Sequence, residues 1–596
     1  MRSKAQSTLL RTAYSASLLL GVVVVTFLLF RVVPSNVARI ILGPNATPAA
    51  VEQLQRDLGM HRPVWIQLSS YLRDVIQLEF GTSAIDGSPV AETVLNKFWI
   101  TARIGLLGSA LALLGSYLIN LAAFFRPRLQ ALVHVVKAGV AIPSFLTAIF
   151  GGIFVGLLFP SVSLSGFGSD ASLYALLLPA SVVALYPLAL LTSVLREQIL
   201  NARSSDHVAA ARASGQSEWQ VFHQSLLRPS LVSWLAVLVN QLSIIFLATF
   251  VIEVIFTIPG VGTLLVDALQ QRDLPMLQGI VIINAAFFVA LNWGSELLFE
   301  YIDPRVAGTE GTVQSSSQLR ITSETYSYLG GLLALAVAVA FLSIQGGQAL
   351  DPYSTHPTLQ YTAPSLKSLG AIFGRDALGR SVFARTMYAT GLSLQVVLMS
   401  VGVSFILSLL LGATAGYFHH KWPDAIISWL ISLLYTVPPI LIVIAVMTVL
   451  GSGLAKAFLV IGFVGWAAPA RLIRAEVMRL RRSGFVLASR SLGFSDLWIL
   501  TREVLLPSFM PGLLALLYYI PELVSLEVGL SFFGIGADPP TPSLGRLIYQ
   551  GAMNVYAGGW WLLIPAMVLL ILMAGIYAAA NQLSSGSERM ATMHGQ

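Results

Sequence analysis

The chain has 596 residues, of which 56% are hydrophobic and only 11% charged. Soluble domains have about a quarter of their residues charged, so this composition excludes a chain that covers several soluble cores with a solvated surface. The absence of cysteine excludes disulfides, thiol catalysis and cysteine-ligated metals. The net charge of +7 comes without a basic patch interleaved with aromatic residues, which argues against nucleic-acid binding.

Apolar runs long enough to cross a bilayer, at about 20 residues each, recur along the whole chain. The first follows Arg2, Lys4 and Arg11 and exceeds the apolar region of a signal peptide, so we predict a retained span. The fold class predicted is an all-α polytopic membrane protein with about twelve spans, six in each half. They are expected near residues 14–33, 101–125, 131–159, 172–195, 231–257, 279–302, 327–345, 390–418, 425–450, 457–473, 508–530 and 560–581.

The distribution of basic residues predicts the orientation. Arginine and lysine concentrate in alternate loops, whereas the loop 160–172 has neither, and such loops lie outside the cytoplasm. Six spans return the chain to the side where it began, so the two halves form a parallel repeat with both termini in the cytoplasm. The Gly-, Ser- and Thr-rich segment 303–325 is expected to be a flexible linker between them.

Two longer segments are predicted outside the cytoplasm. In residues 34–100, Thr47 and Pro48 followed by Glu52 indicate the start of a helix. Residues 346–389 are expected to be irregular.

A polar loop occurs twice, as "AAARASGQSEWQVFHQSLLRPS" at 209–230 and "LASRSLGFSDLWILTREVLLPS" at 487–508. Four residue types recur 278 positions apart: Arg212 and Arg490, Gly215 and Gly493, Ser217 and Ser495, Pro229 and Pro507.

The first copy predicts a short helix with Ser205 or Asp206 as its cap. Gly215 suits the left-handed position that ends a helix, and Ser217 with Gln220 forms a capping box for the next helix. In the second copy the box is incomplete, because Trp498 takes the glutamine position. The pattern alone fits either a duplicated structural connection or a pair of docking surfaces for a symmetric cytoplasmic partner.

These loops resemble the cytoplasmic EAA loop of binding-protein-dependent ABC importer permeases. "VEQLQRDLGMHRPVWIQ", "LEFGTSAIDGSPVAETV" and "FTIPGVGTLLVDAL" resemble the dipeptide/oligopeptide/nickel permease of DppB type. "GRDALGRSVFARTMYATGLSL" and "LSFFGIGADPPTPSLGRLI" resemble its DppC-type partner. The Glu-Ala-Ala of the motif is replaced by Ala209-Ala210-Ala211 and Leu487-Ala488-Ser489.

The resemblance implies a fused permease of a type I ABC importer in the bacterial inner membrane. It implies a DppB-like half at 1–303 with its loop at about 203–229, a linker at 304–325, and a DppC-like half at 326–596 with its loop at about 481–507. The partners implied are two ABC ATPase subunits or one fused ATPase, an extracytoplasmic solute-binding protein and the lipid bilayer. ATP and magnesium would bind those ATPases, and no cofactor would bind this chain. The residues implied to dock the ATPases are Ala210, Ala211, Arg212, Ala213, Gly215, Ala488, Ser489, Arg490 and Gly493.

Other features of the sequence are better explained without a further functional site. No GxxxxGK[ST] or HExxH motif occurs, so neither an ATP site nor that metal site is predicted. His419-His420 is expected to be a solvated pair rather than a metal site. Glu253 and Glu527 lie in matching apolar contexts, which favours a structural role over a functional one.

Glu522, with Tyr518 and Tyr519 beside it, is the candidate for the substrate path. The cargo class implied by the resemblance spans peptides, nickel chelates and metallophores. A twelve-span secondary transporter is the alternative function, although it gives no reason for the repeated loop. An intramembrane enzyme is disfavoured, because no nucleophile and base or metal constellation is present in the sequence.

Overall fold

The structure is a computed structural model that describes residues 4–32, 47–57, 61–139, 173–302, 350–451, 453–554 and 560–593, with 146, 147, 150, 151 and 154. The chain divides into two compact units, Met1–Val24 with Ala38–Ser317, and Val25–Val37 with Gln318–Gln596. In the described part, all regular structure is helical apart from two isolated β-bridges, Thr82 with Pro89 and Arg375 with Ser381.

Although the last three residues of its first helix belong to the second unit, the first unit contains ten α-helices of eight or more residues within its described part. They are α1 Lys4–Phe27, α2 Pro48–Asp57, α3 Val64–Ile76, α4 Val90–Phe125, α5 Gln130–Ala138, α6 Leu173–Arg203, α7 Asp206–Ala213, α8 Arg228–Ile255, α9 Val261–Gln270 and α10 Leu274–Ile302. The long helices α4 and α8 are apolar around most of their circumference, as expected for segments that meet lipid or protein on every side.

The described part of the second unit contains nine further helices. They are α11 Val382–Tyr417, α12 Trp422–Thr436, α13 Pro439–Leu450, α14 Leu454–Gly465, α15 Ala467–Leu480, α16 Gly484–Ser491, α17 Leu505–Phe532, α18 Leu544–Met553 and α19 Trp560–Met593. Helix α11 packs closely on its neighbours through small residues. A Cβ on Gly412 would come within 2.7 Å of the backbone oxygen of Ala470, so this helix contact requires glycine.

Seven helices in the described part are long and apolar enough to cross a membrane, and a bent pair brings the number to eight. The predicted span 327–345 and the linker 303–325 lie outside the described residues, as does most of 139–159. The span predicted near 425–450 is not a single straight helix, because α12 and α13 meet at an angle of 90°. The cause is the pair Pro438-Pro439, which removes two backbone N–H donors and forces the preceding residue into an extended conformation.

The structure confirms the helix start at Thr47 and Pro48, and it confirms the irregular segment only as far as residue 381, because α11 begins at Val382. Helix α2 begins at Pro48, and the hydroxyl of Thr47 accepts a hydrogen bond from the N–H of Ala50. Residues 350–381 form turns around Asp376, which accepts hydrogen bonds from Arg380 Nε at 2.8 Å and from the buried Arg385. This buried ion pair holds the motif "GRDALGRSVFAR" at the start of α11.

Candidate functional site

The repeated loop has the same backbone in both units. Gly215 has φ +78° and Gly493 has φ +86°, a region that favours glycine. Gly215 N–H donates to the Arg212 carbonyl at 3.0 Å, and Gln216 N–H donates to the Ala211 carbonyl at 3.2 Å. The corresponding bonds of the second loop measure 3.1 and 3.2 Å. This pair of bonds is the Schellman motif, which satisfies the last carbonyls of α7 and α16.

The caps predicted for the second helix of each loop are present, whereas the cap expected from Ser205 or Asp206 at α7 forms no side-chain hydrogen bond. Ser217 and Gln220 form the full capping box, and Ser495 accepts from Trp498 N–H at 3.3 Å. Ser205 precedes α7 but its side chain does not cap the helix. Its hydroxyl bonds instead to the Ala202 carbonyl and to the ring of His207.

The two loops bury equivalent residues. Val208 and Val486, which are 278 positions apart, are each fully buried and hold α7 and α16 on their own units. The same spacing relates the other anchors, which are Val221 and Ile499, Phe222 and Leu500, and Leu226 and Val504. Each short helix is therefore fixed by one apolar side and presents its other side to solvent.

An arginine and an acid pair across each glycine turn. Arg212 donates to both carboxylate oxygens of Glu218, at 2.8 and 3.1 Å, and this bond lowers the pKa of Glu218. At the equivalent positions, Arg490 lies 3.6 Å from Asp496 and donates to the hydroxyl of Tyr417 at 3.1 Å. Both pairs are largely exposed, so each adds little stability by itself.

Most of the predicted docking residues lie on the open side of the loops. Ala210, Ala213, Gly215, Ala488, Arg490 and Gly493 are exposed, and Ala211 and Arg212 are half-buried. Ser489 differs, because it is buried and its hydroxyl bonds to Glu503. Its geometry assigns it to holding the loop rather than to contact with a partner.

Equivalent exposed positions have different chemistry in the two loops. Leu492 and Leu497 have exposed fractions of 77% and 70%, and their counterparts are Ser214 and Trp219. Three further exposed pairs also differ in chemistry, which are His207 and Phe485, Ala209 and Leu487, and Gln220 and Trp498. In the second loop, Phe494 stacks on Trp498 with ring centroids 4.2 Å apart. The exposed side of the second loop is therefore mainly apolar, whereas that of the first is mainly polar.

Each copy of the repeated loop leads into a long helix. Pro229 lies in the first turn of α8, as predicted, but a π-helical segment Val221–Leu227 leads directly into that helix. A second π-helical segment, Ile499–Val504, leads into α17 in the same way. Wider turns of this kind accommodate a following proline without a chain break.

The second unit presents charged and aromatic side chains within its long helices. Glu522 is exposed and Tyr519 is half-buried, while the side chain of Tyr518 lies outside the described part. Sequence reasoning missed two further residues. The guanidinium of Arg471 stacks 4.2 Å from the ring centre of Tyr435, and Arg471 and Glu522 are both exposed.

The other intramembrane carboxylates are structural. Glu253 is fully buried and accepts a hydrogen bond from the hydroxyl of Thr101. It also accepts one from the N–H of Gly262, at 2.6 Å. These bonds tie α4, α8 and α9 together. Glu527 is also buried and accepts from Ser531 at 3.0 Å.

No group of three or more potential metal ligands occurs in the described part of the chain. His419 bonds to Asp424 at 2.8 Å, and Asp424 also pairs with Arg474 at 2.7 Å. The two histidine rings stack 3.7 Å apart. Because its neighbours are an ion pair rather than further ligands, His419 is part of a hydrogen-bonded network.

In the described part of the chain, two helical units, each with the same buried-anchored loop beside long apolar helices, form a duplicated multi-pass membrane protein. The chain belongs to the family of binding-protein-dependent transport system inner membrane components, whose domain matches residues 106–308 and again 408–584. The N-terminal region of the membrane component of binding-protein-dependent transport systems matches residues 6–104.

Curated relatives are about half the length of this chain. It is 32% identical over 304 residues to a protein of Brucella suis biovar 1 named for a peptide transport system permease, covering 50% of this chain and 97% of that protein. The oligopeptide transport system permease protein AppB of Bacillus subtilis is 28% identical, with coverage of 50% and 97%. The dipeptide transport system permease protein DppC of Bacillus subtilis is 34% identical over 203 residues, covering 34% of this chain and 63% of that protein.

The chain is therefore an ABC importer permease in which two permease domains are fused. The resemblance seen in the sequence is confirmed, and so is the prediction of a helical protein with two type I transmembrane domains. The alternative of a secondary transporter is disfavoured by the family.

Proposed function

We propose that this chain imports peptides or related amino-acid-like solutes, delivered by an extracytoplasmic solute-binding protein and driven by ATP hydrolysis on separate subunits. The names of the relatives, which are peptide, oligopeptide and dipeptide permeases, support a peptide cargo. On this proposal the chain has no catalytic activity and binds no cofactor, because ATP and magnesium bind the ATPases.

One observation carries the proposal: the same glycine-closed loop occurs in both domains with equivalent anchors and an equivalent ion pair. A loop that only connects two helices would need the buried anchors. It would not need an exposed short helix with the same backbone in both domains. We assign that helix, α7 in one domain and α16 in the other, to a groove on an ATPase. Closing of the ATPases would then move both docking helices and the long helices α8 and α17 that follow each glycine turn, which produces alternating access.

The different surfaces of the loops indicate two different grooves. A polar groove suits α7 and an apolar groove suits α16, so the partners are two unlike ATPase subunits or one fused ATPase with two unlike halves. Burying one leucine contributes about 1.5–3 kcal/mol. The second loop, with Leu492 and Leu497 exposed, therefore supplies most of the docking affinity.

The orientation follows from the same assignment. If both loops face the ATPases, then both termini and the linker lie in the cytoplasm, and the segments 34–100 and 346–389 face the binding protein. We place the chain in a bacterial inner membrane. The domain limits of 1–303 and 326–596 are those of the sequence prediction.

A cargo with both charges fits the candidate path. A peptide carries a carboxylate at one end and an ammonium group at the other. Arg471 and Glu522 present the complementary charges, and Tyr435 and Tyr519 offer aromatic faces and hydroxyl groups between helices. A planar guanidinium binds a carboxylate through two hydrogen bonds.

The test is reconstitution in liposomes. The full chain would be purified with its ATPase subunits, and peptide uptake would be measured with the binding protein outside and ATP inside. We expect uptake that requires all components. Uptake by the chain alone, driven by an ion gradient, would instead establish the secondary transporter. In a parallel experiment, nickel chelates would replace the peptides, so that the two cargo classes can be distinguished.

A further inference from the structure

A basic cavity lies beside the second docking loop. Its volume is about 380 Å³, and its lining includes His419, His420, Arg481, Arg482 and Arg490. This volume is within the range of small-molecule sites. Arg490 belongs to α16, whereas Arg481 and Arg482 directly follow α15, so the cavity joins the docking helix to the end of a long helix.

Nearby acids neutralise only part of the positive charge of the cavity. Arg490 lies 3.6 Å from Asp496. Among the described residues, Arg481 donates only to the His419 backbone carbonyl, at 3.4 Å, and neither Arg481 nor Arg482 forms an ion pair. Asp424 already pairs with Arg474 at 2.7 Å. The carbonyl ends of two helices contribute partial negative charges of about one half each, which the guanidinium groups of Arg481 and Arg482 exceed.

We propose that this cavity binds a phosphate-bearing anion, and that the anion strengthens the connection between α16 and the spans. The planar guanidinium group of arginine presents N–H donors in a geometry that matches the oxygens of a phosphate. On the proposed orientation, the cavity lies where the long helices leave the cytoplasmic face, and basic pockets at that level bind phospholipid headgroups. A headgroup with one phosphate fits the volume, and its tails would extend beside α11 and α15.

The test uses the full chain in lipid nanodiscs. The thermal unfolding midpoint would be measured in phosphatidylcholine alone, in phosphatidylcholine with phosphatidylglycerol, and in phosphatidylcholine with inorganic phosphate added. We expect phosphatidylglycerol to raise the midpoint and to remain bound in native mass spectrometry. A rise with inorganic phosphate alone would also support the site, with a soluble phosphate compound as its ligand.

The decisive variant is the double substitution Arg481→Gln with Arg482→Gln. Retention of phosphatidylglycerol should weaken by at least about tenfold, because hydrogen bonds to charged groups contribute on the order of 1.5 kcal/mol or more. The matched control is Arg479→Gln, which removes one positive charge from the same helix end but outside the cavity, where Arg479 pairs with Glu476.

Two outcomes would overturn the proposal. The first is equal lipid retention by the double variant and the control. The second, which needs no variant, is a wild-type midpoint that responds neither to phosphatidylglycerol nor to phosphate. These outcomes leave peptide uptake untouched, so they are distinguishable from failure of the proposed function.

Discussion

Replacing Gly493 with valine tests whether the docking loop couples ATP hydrolysis to transport. At φ +86°, a β-branched residue costs about 1–3 kcal/mol of strain. No atom lies within 4 Å of the position that a Cβ would occupy, so the cost comes from the backbone and not from a clash. A penalty of about 2 kcal/mol shifts the equilibrium between the native and rearranged loop roughly thirtyfold.

The rearranged loop loses the Schellman bonds from Gly493 and Phe494, and with them the direction of α16. Because the loop is exposed and is anchored separately by Val486, the spans should still fold. In liposomes with the full complex, we expect ATP hydrolysis to persist while uptake for each ATP hydrolysed falls about tenfold or more.

The matched control is Gly493→Asn, since asparagine tolerates a left-handed backbone. It should retain at least half of the coupling of the wild type. Normal coupling in Gly493→Val would refute the reasoning and leave the loop a simple connection. A variant that fails to insert would be detected by its unfolding profile before any transport assay.

Three further predictions concern other parts of the chain. Asp376→Asn should lower the free energy of unfolding by about 3–5 kcal/mol, seen as a lower thermal midpoint, because Arg385 would be left buried without its partner. Leu492→Ser should weaken ATPase copurification about tenfold, whereas Ser214→Ala should leave it unchanged; equal effects would exclude an apolar groove. Glu522→Gln should reduce peptide uptake about tenfold with normal ATPase binding, and unchanged uptake would remove Glu522 from the path.

Local signals allowed the loops to be predicted from the sequence. Glycine at a left-handed position, a serine with a glutamine three residues later, and a proline in a first turn each act within a few residues. Gly215, Ser217 and Pro229 accordingly lie where expected. The prediction that Ser205 caps α7 was wrong, because its hydroxyl donates instead to the Ala202 carbonyl, one turn earlier.

Contacts between distant helices could not be predicted in this way. Arg471 and Tyr435 lie on α15 and α12, and no spacing in the sequence indicates that they stack. The pairing of Arg212 with Glu218 depends on the direction that the glycine turn gives to the chain. The 90° bend between α12 and α13 had a local signal in Pro438-Pro439, but the apolar run around it masked that signal.

The π-helical segments Val221–Leu227 and Ile499–Val504 lie between the glycine turns and the long helices α8 and α17. A π turn holds its hydrogen bonds five residues apart instead of four, so a change from π to α geometry would rotate the helix that follows by about one residue, or 100°. On the proposed function, a change of geometry in these segments would therefore alter the rotation of α8 and α17 about their own axes relative to the repeated loops.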